Sequence, residues 1–286
     1  MPQTAKVERR DIHFDLSKID FLNWHPAGTH VTQLLNALSL LFPDGERFFI
    51  DSVRHYEKRI TDPKLKQDVK GFIGQEAMHG REHQVYNDAL QAAGLPAEEI
   101  QAQVVEMLKL GQKTLSPRAQ LAITIALEHF TAILADALLS DDRIMADVPE
   151  EMAALWRWHA IEETEHKAVA YDVYQEMEGG VWGYAVRCWL MFTVSLDFLY
   201  RSYKFQHKMI KAAGAQGDKQ GQRNYLKFMF TSPGILRQVF PAWLSYFRPG
   251  FHPWKHDNRH HVARWKKAFA AQGSAPGFLD ESGKAA

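Results

Sequence analysis

Two four-residue motifs in this sequence each place a glutamate three residues before a histidine. They are Glu76-Ala-Met-His79 and Glu163-Thr-Glu-His166. Because three residues make nearly one helical turn, each motif puts a carboxylate and an imidazole on one face of a helix. Glu46 and Glu128 lie upstream of the motifs by about the length of a helical hairpin. Four carboxylates and two imidazoles neutralise and bridge two divalent ions, so the pattern predicts a dinuclear metal site inside a four-helix bundle.

The turns between the helices support this grouping. In two antiparallel helices, residues equidistant from the connecting turn lie at the same height. The midpoint between Glu46 and Glu76 falls in the turn Thr61-Asp62-Pro63. The midpoint between Glu128 and the glutamate of the second motif falls in the loop 141–149. The hairpin geometry therefore predicts that all four glutamates lie level with one another.

Two more histidines and two more glutamates extend the pattern. His83 lies seven residues after the glutamate of the first motif, and His159 lies seven residues before the histidine of the second. Both spacings return to nearly the same helix face, so each histidine either binds metal or supports a ligand through a hydrogen bond. Glu162 is an alternative to Glu163 as a ligand, and we favour Glu163 because it completes the Glu-x-x-His motif.

The ligand order resembles that of the ferritin-like di-iron carboxylate superfamily, which includes ribonucleotide reductase small subunits, acyl-carrier-protein desaturases and bacterial multicomponent monooxygenases. Three stretches look more narrowly like a bacterial family of predicted metal-dependent hydrolases: GERFF (45–49), FIGQEAMHGREHQVYN (72–87) and WRWHAIEETEHKAVAYDVY (156–174). The resemblance implies six metal ligands: Glu46, Glu76, His79, Glu128, Glu163 and His166. His83 and His159 depart from this six-ligand pattern.

The helical periodicity, with no convincing strand, predicts an all-α protein. The resemblance implies a ferritin-like four-helix bundle with additional C-terminal helices. The longer helices are expected at about 29–42, 46–60, 64–93, 97–113, 117–140, 150–177, 181–213 and 255–270. We expect four regions: an N-terminal arm (1–28), the metal-binding bundle (29–178), a C-terminal helical extension packed on it (179–271) and a disordered tail (272–286).

Composition and charge favour a cytoplasmic protein that does not bind nucleic acid. Lys and Arg total 34, and Asp and Glu also total 34, so no overall field attracts nucleic acid. The single cysteine, Cys188, excludes an intrachain disulfide framework. The first 20 residues contain no apolar segment typical of a secretory signal.

One apolar segment raises the question of membrane contact. Val181 to Tyr200 is about long enough to span a bilayer but contains Arg187 and Asp197. We therefore expect a buried helix or a membrane-facing surface rather than a span. The aromatic and basic stretch 243–265 either rests on a membrane surface or covers the core.

Three functions fit the predicted site. The favoured one is an oxygen-activating oxidase or oxygenase with two iron ions, or manganese in their place, acting on a small hydrophobic substrate. It requires an external electron donor, because the sequence has no flavin or ferredoxin signature. The first alternative is a metal-dependent hydrolase that activates water, with Glu162 or Glu165 as the base. The second is a non-catalytic metal store. A homodimer is compatible with each.

Overall fold

The computed structural model describes residues 5–272. These residues form helices and loops with no strand, which confirms the prediction of an all-α protein. The α-helices of this part of the chain are α1 Thr29–Ser39, α2 Phe42–Glu57, α3 Pro63–Ala92, α4 Ala97–Thr114, α5 Pro117–Ser140, α6 Glu150–His166, α7 Val169–Glu178, α8 Gly180–Ala212, α9 Lys219–Phe230, α10 Ile235–Ser245 and α11 Arg259–Gln272. The predicted tail lies outside the described residues from position 273 onward.

Helices α2 and α3 form one hairpin, and α5 and α6 form a second. Asp62 caps α3 by accepting a hydrogen bond from the Lys64 N–H, and Pro63 follows in the first turn. Ser116 caps α5 in a similar way, before Pro117. These caps satisfy amide groups that have no partner within the helix. The hairpins contact each other through α2 and α5 and through α3 and α6, so four helices surround one interior.

Helix α2 starts earlier than the sequence pattern indicates. The segment Pro43-Asp44-Gly45 is expected to separate two helices, but in the structure it lies in the first turn of α2. Proline is well tolerated there because the first amide groups of a helix have no intrahelical acceptor. The break between α1 and α2 is therefore confined to Leu40 and Leu41.

The predicted helix 150–177 is divided in two immediately after the second motif. Helix α6 ends at His166, and α7 begins at Val169. The buried Lys167 ammonium at this break donates hydrogen bonds to the His256 carbonyl and to Asn258 Oδ1, at 2.8 and 2.6 Å. The break contains neither glycine nor proline. It is associated instead with these contacts to a distant segment, which override the local helix propensity.

Two further segments differ from the predicted boundaries. The sequence of 214–221 predicts a flexible connector, but the observed connector is shorter, because α9 already begins at Lys219 and is capped by the Asp218 side chain. The last helix begins at Arg259 rather than near residue 255, after a 3₁₀ turn at Pro253–Lys255.

The N-terminal arm packs against the helices that carry the motifs. Ile12 and Phe14 are buried, and the Phe14 N–H donates to Glu82 Oε2 at 3.2 Å. At Gly71 on α3, a side chain would place its Cβ only 2.8 Å from the Val7 side chain. The close approach of the arm therefore requires glycine at position 71.

The apolar segment 181–200 forms the first part of α8. One side of α8 packs against α1 and α5, and much of the other side is exposed. Among the described residues, α5 alone has the length and hydropathy of a membrane span, and 67% of its apolar window is buried inside the protein. Because α5 also carries Glu128, its apolar character reflects its place in the core.

Candidate metal centre

The structure brings seven of the predicted ligands together in the interior between α2, α3, α5 and α6. All seven side chains are buried. They form three overlapping groups whose ligand atoms lie within 4.8 Å of one another: Glu46, His79 and His159; Glu76, His79 and Glu163; Glu76, Glu128 and His166. Because the groups share members, the arrangement offers neighbouring positions for more than one ion.

Glu163 lies between the histidines of the cluster. Its Oε1 is 3.2 Å from His159 Nε2 and 3.7 Å from His79 Nδ1. Its Oε2 is 3.3 Å from His166 Nε2 and accepts a hydrogen bond from the Thr131 hydroxyl. The two oxygens of Glu163 therefore face different parts of the cluster.

The other carboxylates surround His166 and His79. His166 Nε2 lies 3.0 Å from Glu76 Oε1 and 3.6 Å from Glu128 Oε2. On the other side, His79 Nδ1 lies 4.0 Å from Glu46 Oε1. Each of the four helices thus contributes a carboxylate, and α3 and α6 also contribute imidazoles.

Many buried polar atoms in this cluster have no hydrogen-bond partner among the described residues. Both carboxylate oxygens of Glu46, Glu76 and Glu128 are in this state, as are His159 Nε2 and His166 Nε2. Buried polar groups without partners are costly and uncommon in folded proteins. Divalent cations satisfy carboxylate oxygens and imidazole nitrogens together, so the donor set fits a metal centre.

The electrostatics of the cluster also favour a bound cation. Burial raises the pKa of Glu46 and Glu128 well above the ordinary value, and the neighbouring Glu76 adds to both shifts. Burial raises the pKa of Glu76 to about 7. Burial also opposes ionisation of Glu163, but His166 and His159 together outweigh it and hold the pKa of that carboxyl well below the ordinary value. Bound cations favour the ionised form of all four carboxyls.

His83 lies outside the three groups. Its Nδ1 is 2.9 Å from the Ser39 hydroxyl, and its Nε2 is 2.9 Å from His159 Nδ1. Ser39 in turn donates to Asn87 Oδ1. Both ring nitrogens of His83 therefore have protein partners. His83 contacts His159 through Nδ1 of that ring, which leaves His159 Nε2 directed at the cluster.

Glu162 and Glu165 face away from the centre of the cluster and share an arginine from the N-terminal arm. Arg10 donates to Glu162 Oε1 at 2.9 Å and to both oxygens of Glu165 at 2.9 and 2.7 Å. Glu162 Oε2 lies 3.1 Å from His79 Nε2. Gln75 donates to Glu165, and its Oε1 lies 2.9 Å from His166 Nδ1. This network lies beside the outer nitrogens of two histidines of the cluster, His79 and His166.

The structure places the two predicted bases, Glu162 and Glu165, in different surroundings. Both Glu165 oxygens are engaged by Arg10 and Gln75. Burial raises the pKa of Glu162 to about 7, and Arg10 opposes that shift. Glu165 is therefore held by partners on both oxygens, whereas Glu162 Oε2 has no hydrogen-bond partner among the described residues.

We expect Arg10→Met to weaken metal binding about 10- to 100-fold, because Glu162 and Glu165 no longer orient the histidines of the site. Two buried carboxylates also lose their partner, which costs about 3–5 kcal/mol of the free energy of unfolding. Metal titration calorimetry and urea denaturation measure the two effects. Arg9→Met is the control, since Arg9 is exposed and lies 3.7 Å from Asp11. Equal behaviour of the two variants would contradict the role of Arg10.

The sequence motifs do not reveal Arg10, Gln75 or Thr131. Arg10 belongs to a polar arm more than 150 residues before its partners, and no local pattern connects them. One sequence signal is present nonetheless: Glu162 and Glu165 lie within the same helical segment as Glu163 and His166. Buried carboxylates that do not bind metal require a cation from elsewhere in the chain.

Comparison with known families identifies the chain. The model of a family described as a predicted metal-dependent hydrolase matches residues 8–257. This chain belongs to that family. No curated protein and no solved structure gives a significant match to it.

Membership of the metal-dependent hydrolase family corrects the favoured function. The prediction of an oxygen-activating oxidase or oxygenase was wrong, because the family that covers most of the chain is described as hydrolytic. The external electron donor expected for that enzyme is no longer required. Ligand types do not separate the two chemistries, since carboxylates and imidazoles serve both redox and hydrolytic metal centres.

Proposed function

We propose that this protein is a hydrolase that uses a pair of divalent metal ions, held by the buried cluster, to activate water. The observation that supports the proposal most directly is the set of unpartnered oxygens and nitrogens in three overlapping groups. Family membership supports the reaction class.

Seven residues would hold the metals: Glu46, Glu76, His79, Glu128, His159, Glu163 and His166. When bound, such a pair of ions lowers the pKa of a water molecule and polarises the bond to be cleaved. Oxygen and nitrogen donors suit iron and manganese, and we propose two iron ions, with manganese as the alternative.

Aromatic rings enclose the imidazoles of the site. Trp158 contacts His79 edge-on at 4.9 Å between ring centroids, Phe72 contacts His166 at 5.1 Å, and Phe42 contacts His159 at 4.6 Å. These rings limit rotation of the histidines and exclude bulk water. Electrostatic interactions are stronger in such an apolar enclosure than in solvent.

Hydrolysis also requires a proton acceptor near the water. Glu46 and Glu128 have two oxygens each without a protein partner, so one oxygen can bind metal while the other accepts a proton. Glu162 and Arg10 would instead orient His79. We therefore assign proton transfer to the free carboxylate oxygens of the cluster.

The proposal also includes the type of helix bundle that holds the cluster. We propose that α2, α3, α5 and α6 are the four helices of a ferritin-like bundle, supported by the carboxylate on each and by the Glu-x-x-His motifs on α3 and α6. The division into regions 1–28, 29–178 and 179–271, the small hydrophobic substrate and the homodimer remain predictions.

A redox-inert metal tests the hydrolase directly. The chelated protein, reloaded with Zn²⁺ and kept free of oxygen, should cleave members of a panel of esters, amides and phosphoesters. Reaction in ¹⁸O-labelled water should place the label in the product. An absolute requirement for dioxygen and a redox-active metal would contradict the proposal. Because zinc has no redox chemistry, turnover with zinc cannot come from an oxygenase.

A further inference from the structure

Helix α8 exposes a row of large apolar side chains. Trp189 and Tyr203 are each 66% exposed, and Leu196 between them is 56% exposed. Phe192 and Leu199 continue the row on the same side. These spacings of three, four and seven residues place the side chains on one helix face. A contiguous apolar face of this kind on a folded protein indicates a contact with a partner or a membrane.

Helices α9 and α10 extend this face. Trp243 on α10 donates a hydrogen bond to Ser195 on α8 at 2.9 Å, which holds the two helices together. Phe240 stacks on Trp243, and both Phe240 and Leu244 are more than half exposed. Helix α9 adds Leu226 and Phe230, which are also exposed. We call this surface of α8, α9 and α10 the aromatic–basic face.

Basic side chains share the helix faces that bear these apolar groups. On α9, Arg223 and Lys227 are exposed and alternate with Leu226 and Phe230 at spacings of three and four residues. On α10, the exposed Arg237 lies three residues before Phe240. In the part of the chain that the structure describes, none of these three cations forms an ion pair with a carboxylate.

The region of the chain that contains the aromatic–basic face carries a net positive charge. Residues 179–256 contain eleven Lys and Arg but two Asp and Glu, a formal charge of +9 in a chain whose total is zero. Of the two acidic residues, Asp197 pairs with Arg201 on α8, and Asp218 caps α9. The acidic groups of this region are therefore already engaged, whereas many of the basic groups face solvent.

We propose that the aromatic–basic face docks on the surface of an anionic lipid bilayer. Exposed Trp, Tyr, Phe and Leu enter the region between headgroups and acyl chains, while Arg and Lys contact acidic headgroups. A second copy of the chain fits this face less well, because a symmetric dimer brings the same basic residues toward one another. The inference does not depend on the hydrolase activity.

Vesicle sedimentation tests the proposal with the full chain. The protein should sediment with vesicles of phosphatidylcholine and phosphatidylserine, but weakly with phosphatidylcholine alone, and high salt should release it. The charge reversal R223E/K227E should reduce binding to the anionic vesicles at least roughly tenfold. The matched control K66E/K70E reverses two exposed lysines on α3, away from the face, and should bind more tightly than R223E/K227E.

The apolar part of the contact has its own pair of variants. F192S/L196S should lose binding, whereas Leu110→Ser on α4, where the side chain is 61% exposed, should retain it. Circular dichroism and metal content should be unchanged in all variants. Equal binding to both kinds of vesicle, no sedimentation, or an effect of R223E/K227E no larger than that of K66E/K70E would overturn the proposal. Analytical ultracentrifugation showing a dimer that F192S/L196S dissociates would also overturn it.

Discussion

Glu128→Gln should abolish hydrolysis and, at the same time, stabilise the metal-free protein. In the absence of cations, Glu128 is a buried carboxyl beside Glu76 and Glu163, and burial with these like charges raises its pKa well above the ordinary value. Glutamine has nearly the same shape without the ionisable group. The substitution removes part of the repulsion and should add about 1–3 kcal/mol to the free energy of unfolding.

Under the proposed function, the same substitution also removes a metal ligand. Metal ions contribute several kcal/mol to the stabilisation of a hydrolytic transition state, so the rate should fall by about a thousandfold or more. Opposite effects on activity and on stability are typical of a site built for chemistry rather than for folding.

Glu82→Gln is the control for Glu128→Gln. Glu82 is a buried carboxylate on α3, but it accepts hydrogen bonds from Arg81 and from the Phe14 N–H. Its neutralisation should destabilise the protein and leave the stoichiometry of bound metal unchanged. Urea denaturation of the chelated proteins and metal analysis compare the two variants. If the metal-free Glu128→Gln protein were less stable than the parent, the expected repulsion between Glu128 and the neighbouring carboxyls would be contradicted.

Removal of metal should lower the thermal stability of the parent protein by more than about 10 °C. Ligands that bind only the folded state stabilise it by about 4 kcal/mol per site at a thousandfold excess over the dissociation constant. For a chain of this size, each kcal/mol shifts the midpoint by about 2–4 °C or somewhat less. The four carboxylates of the cluster are the physical source of the effect, because their mutual repulsion returns when the cations leave.

Calorimetric scans with and without a chelator measure this shift. Glu128→Gln should show a much smaller difference between the two conditions, since it has lost a ligand and part of the repulsion. An identical midpoint for the parent protein in both conditions would show that the cluster does not bind metal tightly.

Much of the core of the site follows from the sequence, because helix periodicity and hairpin symmetry are local rules. Hairpin symmetry predicts that Glu46 lies level with Glu76, and the structure places both in the cluster. The same rules identify the helices that carry the ligands. The class of fold and the dependence on metal required no tertiary information.

The features that the sequence does not reveal depend on contacts between distant segments. The break after His166 has no glycine or proline and is associated with contacts that Lys167 makes near residues 256 and 258. The role of His83 depends on Ser39, which lies on a helix outside the two hairpins. The predicted reaction class was wrong for a different reason, since the same set of ligands serves both redox and hydrolytic metal centres.

The position of Arg10 has a consequence for the order of folding. This residue is synthesised about 150 residues before Glu162 and Glu165, so its two partners do not exist while the arm leaves the ribosome. The arm must wait until α3 and α6 have assembled before it can close over them. The contacts of Arg10 with these two carboxylates are therefore formed late in biosynthesis.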